Sequence, residues 1–171
     1  QRYAEAFSFL QSKNLYTVDD LETTLHTMQD KIDTLKKSAS AKQTRIKEVD
    51  ELLRMVDYYK SSKSAADKLK SIRFEKSRQK YKTEHDDELR TFYMAERKLK
   101  PYFKDGKLSI TAWCRERERL EQEYKDIQTE LSPLYADVKR LWAIHYNIYE
   151  VQHEQERQQT QLHSRKTEIE L

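Results

Sequence analysis

Apolar residues recur from Leu21 to Val56 at alternating steps of four and three, through Leu25, Met28, Ile32, Leu35, Ala39, Ile46, Val49 and Leu53, with Lys42 as the one polar intruder. The same rhythm returns from Trp113 to Ile148 through Leu120, Tyr124, Ile127, Leu131, Leu134, Val138 and Leu141, interrupted at Arg117 and His145. A period of 3.5 residues held for about five heptads keeps one narrow stripe facing a partner helix, as a coiled-coil seam requires. The pattern predicts two long helices.

The remaining segments give weaker signals. Tyr3, Phe7 and Leu10 share a face and predict a short helix over 2–14. Thr17 then offers a capping hydroxyl, with Asp19 and Asp20 placed to oppose the positive end of a long helix over 18–60. Past Lys60 the seam lapses and a basic helical tip is expected over 61–108. There Ala65, Leu69 and Ile72 suggest a shorter helix with a basic outer face. Thr83, followed by Glu84, Asp86 and Asp87, reads as the cap of another helix, carrying Leu89, Phe92, Ala95 and Leu99. Pro101 ends it, and PYFKDGK (101–107) is the clearest loop. Ser109 or Thr111 caps the last long helix, expected over 109–160. Pro133 lies inside that seam, where a proline costs about 3 kcal/mol. Because the register is unchanged from Leu131 to Leu134, a kinked but continuous helix is expected.

Two seams separated by shorter helices fold most simply as an all-α, elongated antiparallel coiled-coil hairpin, a single helical domain over 1–171. Each arm would run about 60 Å at 1.5 Å per residue. A hairpin sets Leu21 beside Ile148 and leaves Trp142, Tyr146 and Tyr149 off the seam, with Tyr3, Phe7 and Leu10 as their expected cover. The competing arrangement, a parallel dimer through each seam, gives the basic middle segment no packing role, so a monomer is expected.

Composition supports a thin helical architecture. Of the 171 residues, 37% are charged and 36% hydrophobic, too little apolar surface for a thick core. No stretch approaches the roughly 20 apolar residues that span a bilayer. With no charged-then-apolar leader and a single cysteine, Cys114, the sequence suggests a cytoplasmic protein whose thiol is buried or inert. Its first residue, Gln1, and its polar helical end suggest a piece of a larger protein.

Catalytic chemistry finds little footing. One glycine cannot build a phosphate-binding loop. The histidines at 26, 85, 145, 153 and 163 are scattered and form no metal-binding spacing, so neither metal nor cofactor is expected. His85 beside Asp86, Asp87 and Glu88 is explained by acids at a helix start. His145, in the seam, is expected to bond a neighbour or to set register. The tyrosines lack the metal or general base that attack on a phosphodiester needs, so the segment itself is not expected to be an enzyme.

One feature suggests a function. From Lys60 to Lys82 nine Lys or Arg face two acids, a net charge of +7 against +3 for the whole chain. Such a segment can neutralise phosphates and release counterions, with Phe74 and Tyr81 available to stack on bases. The candidate contacts are Lys63, Lys68, Lys70, Arg73, Lys76, Arg78, Lys80 and Lys82.

The order of pieces also carries a resemblance. FLQSKNLYTVDDL (9–21), a long heptad helix, Tyr58 and Tyr59, a Lys/Ser-rich stretch, then EHDDELRTFYMAERKL (84–99) and a loop into a second long helix resemble the C-terminal helical region of relaxases. These are the mobilisation nucleases of conjugative and mobilisable elements in Gram-positive bacteria, and the similarity spans about Phe7 to Ile148. Their DNA-cutting residues belong to an N-terminal domain whose histidine motif has no counterpart here, so none is carried over. The resemblance implies a non-catalytic accessory domain that contacts DNA or docks transfer-complex proteins during conjugative DNA transfer. The alternative is a purely structural coiled-coil spacer or dimerisation module without nucleic-acid binding.

Overall fold

A computed structural model describes residues 2–169, and side chains over 4–161. The elements are α1 (Arg2–Ser12), α2 (Val18–Ser71), α3 (Glu75–Glu84), α4 (Asp86–Leu99), a 3₁₀ turn (Lys100–Tyr102) and α5 (Ile110–Ile169). The fold is all-α. It forms two compact units, one of 1–38 with 127–171 and one of 39–126.

In the first unit, the start of α2 pairs with the C-terminal half of α5. Leu21, Leu25 and Ile32 bury against a stripe that includes Ile127, Leu131, Val138 and Leu141. Glu22 meets His145 and Lys31 meets Glu130, so the two helices run antiparallel. Leu21 and Ile148 line one small apolar hollow, as a hairpin requires. Thr17 is the expected cap: its Oγ1 accepts the Asp20 N–H at 3.0 Å, while Asp20 Oδ2 accepts the Thr17 N–H at 2.9 Å. These reciprocal bonds satisfy donors that helix geometry leaves orphaned.

Helix α1 ends in a Schellman motif. Asn14 adopts φ 55°, Leu15 N–H donates to the Leu10 carbonyl and Asn14 N–H to that of Gln11, and the buried Leu15 supplies the accompanying apolar contact. The chain thereby turns α1 onto α5. The Phe9 ring lies 4.1 Å from the Arg140 guanidinium, and Lys13 pairs with Asp137. These anchors hold α1 over the face of α5 that carries Asp137, Arg140 and the buried Ile144. The expected cover of Trp142, Tyr146 and Tyr149 by α1 is therefore not formed; all three are exposed, as is Phe7. The fault lay in weighing apolar side chains alone, whereas a cation–π contact and an ion pair choose the face. The side chain of Tyr3, part of that expectation, lies outside the described residues.

In the second unit α2 continues through Lys60 to Ser71, past the expected end. Its contact stripe shifts by one residue. Val49, Leu53 and Val56 complete the seam toward Trp113, while Leu52, Met55, Tyr59, Ser62, Ala66 and Leu69 keep the same three-four rhythm and are at least half-buried. This second stripe faces Leu89, Phe92, Ala95 and Leu99, all buried on α4 as their spacing predicted. Tyr59 stacks on Phe92 at 5.1 Å. Ser62, 4% exposed, satisfies its hydroxyl by donating to the Tyr58 carbonyl, and Ala65 and Ala66 let the helices approach.

One cap and the place of the lone cysteine differ from expectation. Thr83 lies within α3 and donates to the Gln79 carbonyl, so the N-cap of α4 is His85. Cys114 is exposed on α5 rather than buried. Between the 3₁₀ turn and α5, Asp105 (φ 49°) and Gly106 (φ 74°) form the central pair of a two-residue turn closed by Lys104 and Lys107, the Asp-Gly chemistry of a type I′ turn. Ser109 then precedes α5 and its carbonyl accepts the Trp113 N–H. Helix α5 runs on through Pro133 unbroken.

Every polar intruder in the seams has an acidic partner on the facing helix. Lys42 pairs with Glu123, Arg117 with Asp50, and His145 Nε2 lies 2.9 Å from Glu22. Arg45 adds a fork onto Glu116, its Nε at 2.8 Å. The hydrogen bond from Arg45 holds the Glu116 carboxyl below its usual range; Lys42 does the same for Glu123, Lys98 for Glu51, and the Thr17 cap for Asp20. A carboxylate with a depressed folded-state pKa adds stability that is present above its unfolded value, near 4, and lost as pH falls through the folded value.

Circular dichroism melts should accordingly give a clearly higher Tm at pH 7 than at pH 3, with most of the loss below about pH 5. Pro133→Ala, which restores an interior N–H at an exposed position, should raise unfolding free energy by about 1–3 kcal/mol in urea titrations.

Candidate nucleic-acid interface

The end of α2, the 72–74 connection and α3 carry the basic segment. Lys63, Lys68 and Lys70 lie on the last turns of α2, Arg73 lies in the connection, and Lys76, Arg78, Lys80 and Lys82 lie on α3. No Gly or Pro makes this connection. Ile72 tucks half-buried against the cluster that holds Ala65, Leu69, Tyr81 and Phe92, and Phe74 is left 79% exposed as the residue capping α3.

Helix α3 is fixed by Tyr81. Its ring is 9% exposed, packs 4.1 Å from that of His85 and lies beneath the Lys68 ammonium at 5.4 Å. Tyr81 is thus part of the core and unavailable to stack on a base, contrary to expectation; Phe74 is the aromatic that is free to do so. Lys70 similarly reaches over Phe92, at 5.9 Å. These cation–π contacts place two α2 ammonium groups without neutralising them.

The eight candidate cations do not form one face. Seven are exposed, whereas Arg78 is half-buried on the inward side of α3 beside Tyr81, its Nε buried without a hydrogen-bond partner. Lys76 and Lys80, four residues apart, share one flank; Lys82 lies roughly 200° round from Lys80 at 100° per residue. The expected single basic outer face is therefore a collar of charge around α3 and the end of α2.

What sets this region apart is the density of its cations relative to its carboxylates. Along the paired helices Lys31, Lys42, Arg45, Lys98 and Arg117 all meet carboxylates. Among the nine cations from Lys60 to Lys82, Lys80 alone does so among the described residues, reaching Glu84 at 3.8 Å. The missing anions are the structural signal, and a sequence count shows only their net deficit.

Elsewhere the chemistry is sparse. Among the described residues no group of three or more His, Cys, Asp or Glu is placed to hold a metal ion, and His85 is engaged with Glu88 at 3.2 Å. No helix of the described residues is long and apolar enough to cross a membrane. No protein-family model, curated protein or solved structure matches the chain.

Tyr81→Ala should destabilise the protein by about 2–4 kcal/mol in chemical denaturation, because it empties a packed site. Phe74→Ala should leave stability within about 0.5 kcal/mol. Equal effects would contradict this assignment of one ring to the core and the other to the surface.

Proposed function

We propose that this chain is a non-catalytic helical module that contacts DNA through the collar at the end of α2 and α3, as an accessory domain of a relaxase. The observation that carries the contact is the run of exposed cations at the end of α2 and on α3, of which only Lys80 meets a carboxylate among the described residues. Phosphate oxygens supply what the collar lacks, and binding releases the counterions condensed on the nucleic acid. Phe74, exposed between Arg73 and α3, adds a stacking surface that a single strand offers bases to and a duplex does not.

The relaxase setting rests on the order of sequence pieces from Phe7 to Ile148. In that setting the DNA-cutting chemistry belongs to another domain, and this one holds or guides the strand during transfer or docks transfer-complex proteins. Paired helices suit such a role, because a binding surface on a helix end needs no enclosed reaction pocket.

Fluorescence anisotropy with single- and double-stranded oligonucleotides should show binding that weakens roughly 100- to 1,000-fold between 50 and 200 mM salt, the loss expected for about four to five phosphate contacts. Replacing Lys63, Lys68, Lys70 and Arg73 together by Glu should abolish it, and Phe74→Ala should weaken single-strand binding about tenfold while sparing duplex. No affinity at 50 mM salt would leave a coiled-coil spacer.

A further inference from the structure

Helix α5 has three faces in the first unit, and one of them is largely exposed. The stripe through Leu134, Val138, Leu141, His145 and Ile148 faces α2. The face carrying Asp137, Arg140 and Ile144 lies under α1. The third carries Tyr135, which lies beneath the Lys36 ammonium of α2 at 5.4 Å, and Trp142, Tyr146 and Tyr149, the four being 43%, 53%, 61% and 51% exposed. With Lys139, His153 and Glu156 these continue the four-three rhythm one residue out of phase with the α2 seam, through 135, 139, 142, 146, 149, 153 and 156. A helix surface built on that rhythm is shaped to receive another helix. Contiguous exposed aromatics of this kind mark an interaction site.

We infer that this stripe pairs with the same stripe of a second copy, antiparallel about a two-fold axis between Tyr146 and Tyr149. The register follows from the sequence. Setting Tyr146 opposite the partner's Tyr149 brings Trp142 opposite His153 of the partner subunit and Lys139 opposite the partner's Glu156. Each pair occurs twice, as an isologous interface demands. Lys139 meets no carboxylate within the described residues, and Glu156 meets only His153, at 3.6 Å, so the charges that would face each other are available. The rings are also preset: Tyr149 lies against His153 with centroids 4.3 Å apart. Past Ile148 the described side chains of α5 are all exposed. A second α5 covers this length as well as the aromatics.

The area sets the strength. Three half-exposed aromatic rings per copy offer about 600 Å² in all, below the roughly 1,200 Å² of a stable interface. The dimer is therefore weak and forms only as concentration rises.

Sedimentation equilibrium of the full chain from about 1 to 500 µM should show the mass rising from one chain toward two. Trp142→Glu with Tyr146→Glu should keep it monomeric with its helix content intact. Lys139→Glu should weaken association at least tenfold, and adding Glu156→Lys should restore it. In a Cys114→Ser background, Lys139→Cys and Glu156→Cys chains should each stay unlinked alone and form a disulfide dimer when mixed and oxidised. A mass fixed at one chain at every concentration overturns the inference and leaves the stripe to a different protein. Dimers that persist after the double Glu substitution, or Lys139→Cys chains that link with themselves, overturn the interface and its direction.

Discussion

The structure depends on a narrow apolar seam in which each polar interruption is answered by a carboxylate on the facing helix. A stripe of Leu, Ile, Val and Ala holds two helices together but specifies their register poorly, since a slip by one heptad repeats much the same contacts. Lys42, Arg117 and His145 remove that freedom. Any slip would leave Glu123, Asp50 and Glu22 without their partners and bring half-buried polar groups against apolar neighbours, at the cost of unpaired polar atoms in a partly dry setting. The residues that weaken the seam as a hydrophobic surface make its pairing unique.

Much of this was legible in the chain. The two long helices, their antiparallel sense, the Thr17 cap, the continuity through Pro133 and the buried face of α4 follow from periodicity and capping chemistry. The extension of α2 beyond Lys60 was not. Its second stripe uses Ser62, Ala65 and Ala66, small residues that look indifferent in a hydropathy pattern yet are buried because a neighbouring helix approaches closely. The seam had changed partner from α5 to α4, and a single-stripe reading took the change for an ending. The placement of α1 was missed for a related reason: Phe9 with Arg140 and Lys13 with Asp137 decide its face, and neither pairing leaves a trace in apolar spacing.

The basic segment shows a similar division. Its net charge was plain from the residues, but whether cations are silent or available depends on where carboxylates fall, which is a property of helix packing. The structure pairs many of its acids across the helix contacts and leaves most cations at the end of α2 and on α3 without a carboxylate partner among the described residues. It also separates two aromatics that sequence treats alike. Tyr81 is held by Lys68 and His85 inside the core, whereas Phe74 stands at a helix start with no neighbour to cover it.

The division of the chain has a kinetic consequence. The middle unit, 39–126, is made from one continuous stretch, whereas the other joins 1–38 to 127–171. Bringing those distant segments together from an unstructured chain means closing a long loop, whose entropy loss grows as about (3/2)RT ln n and is incurred before any contact is made. When the intervening stretch has already folded, that loss has largely been met. Local contacts form fastest, and a middle unit that folds first shortens the loop the two ends must close.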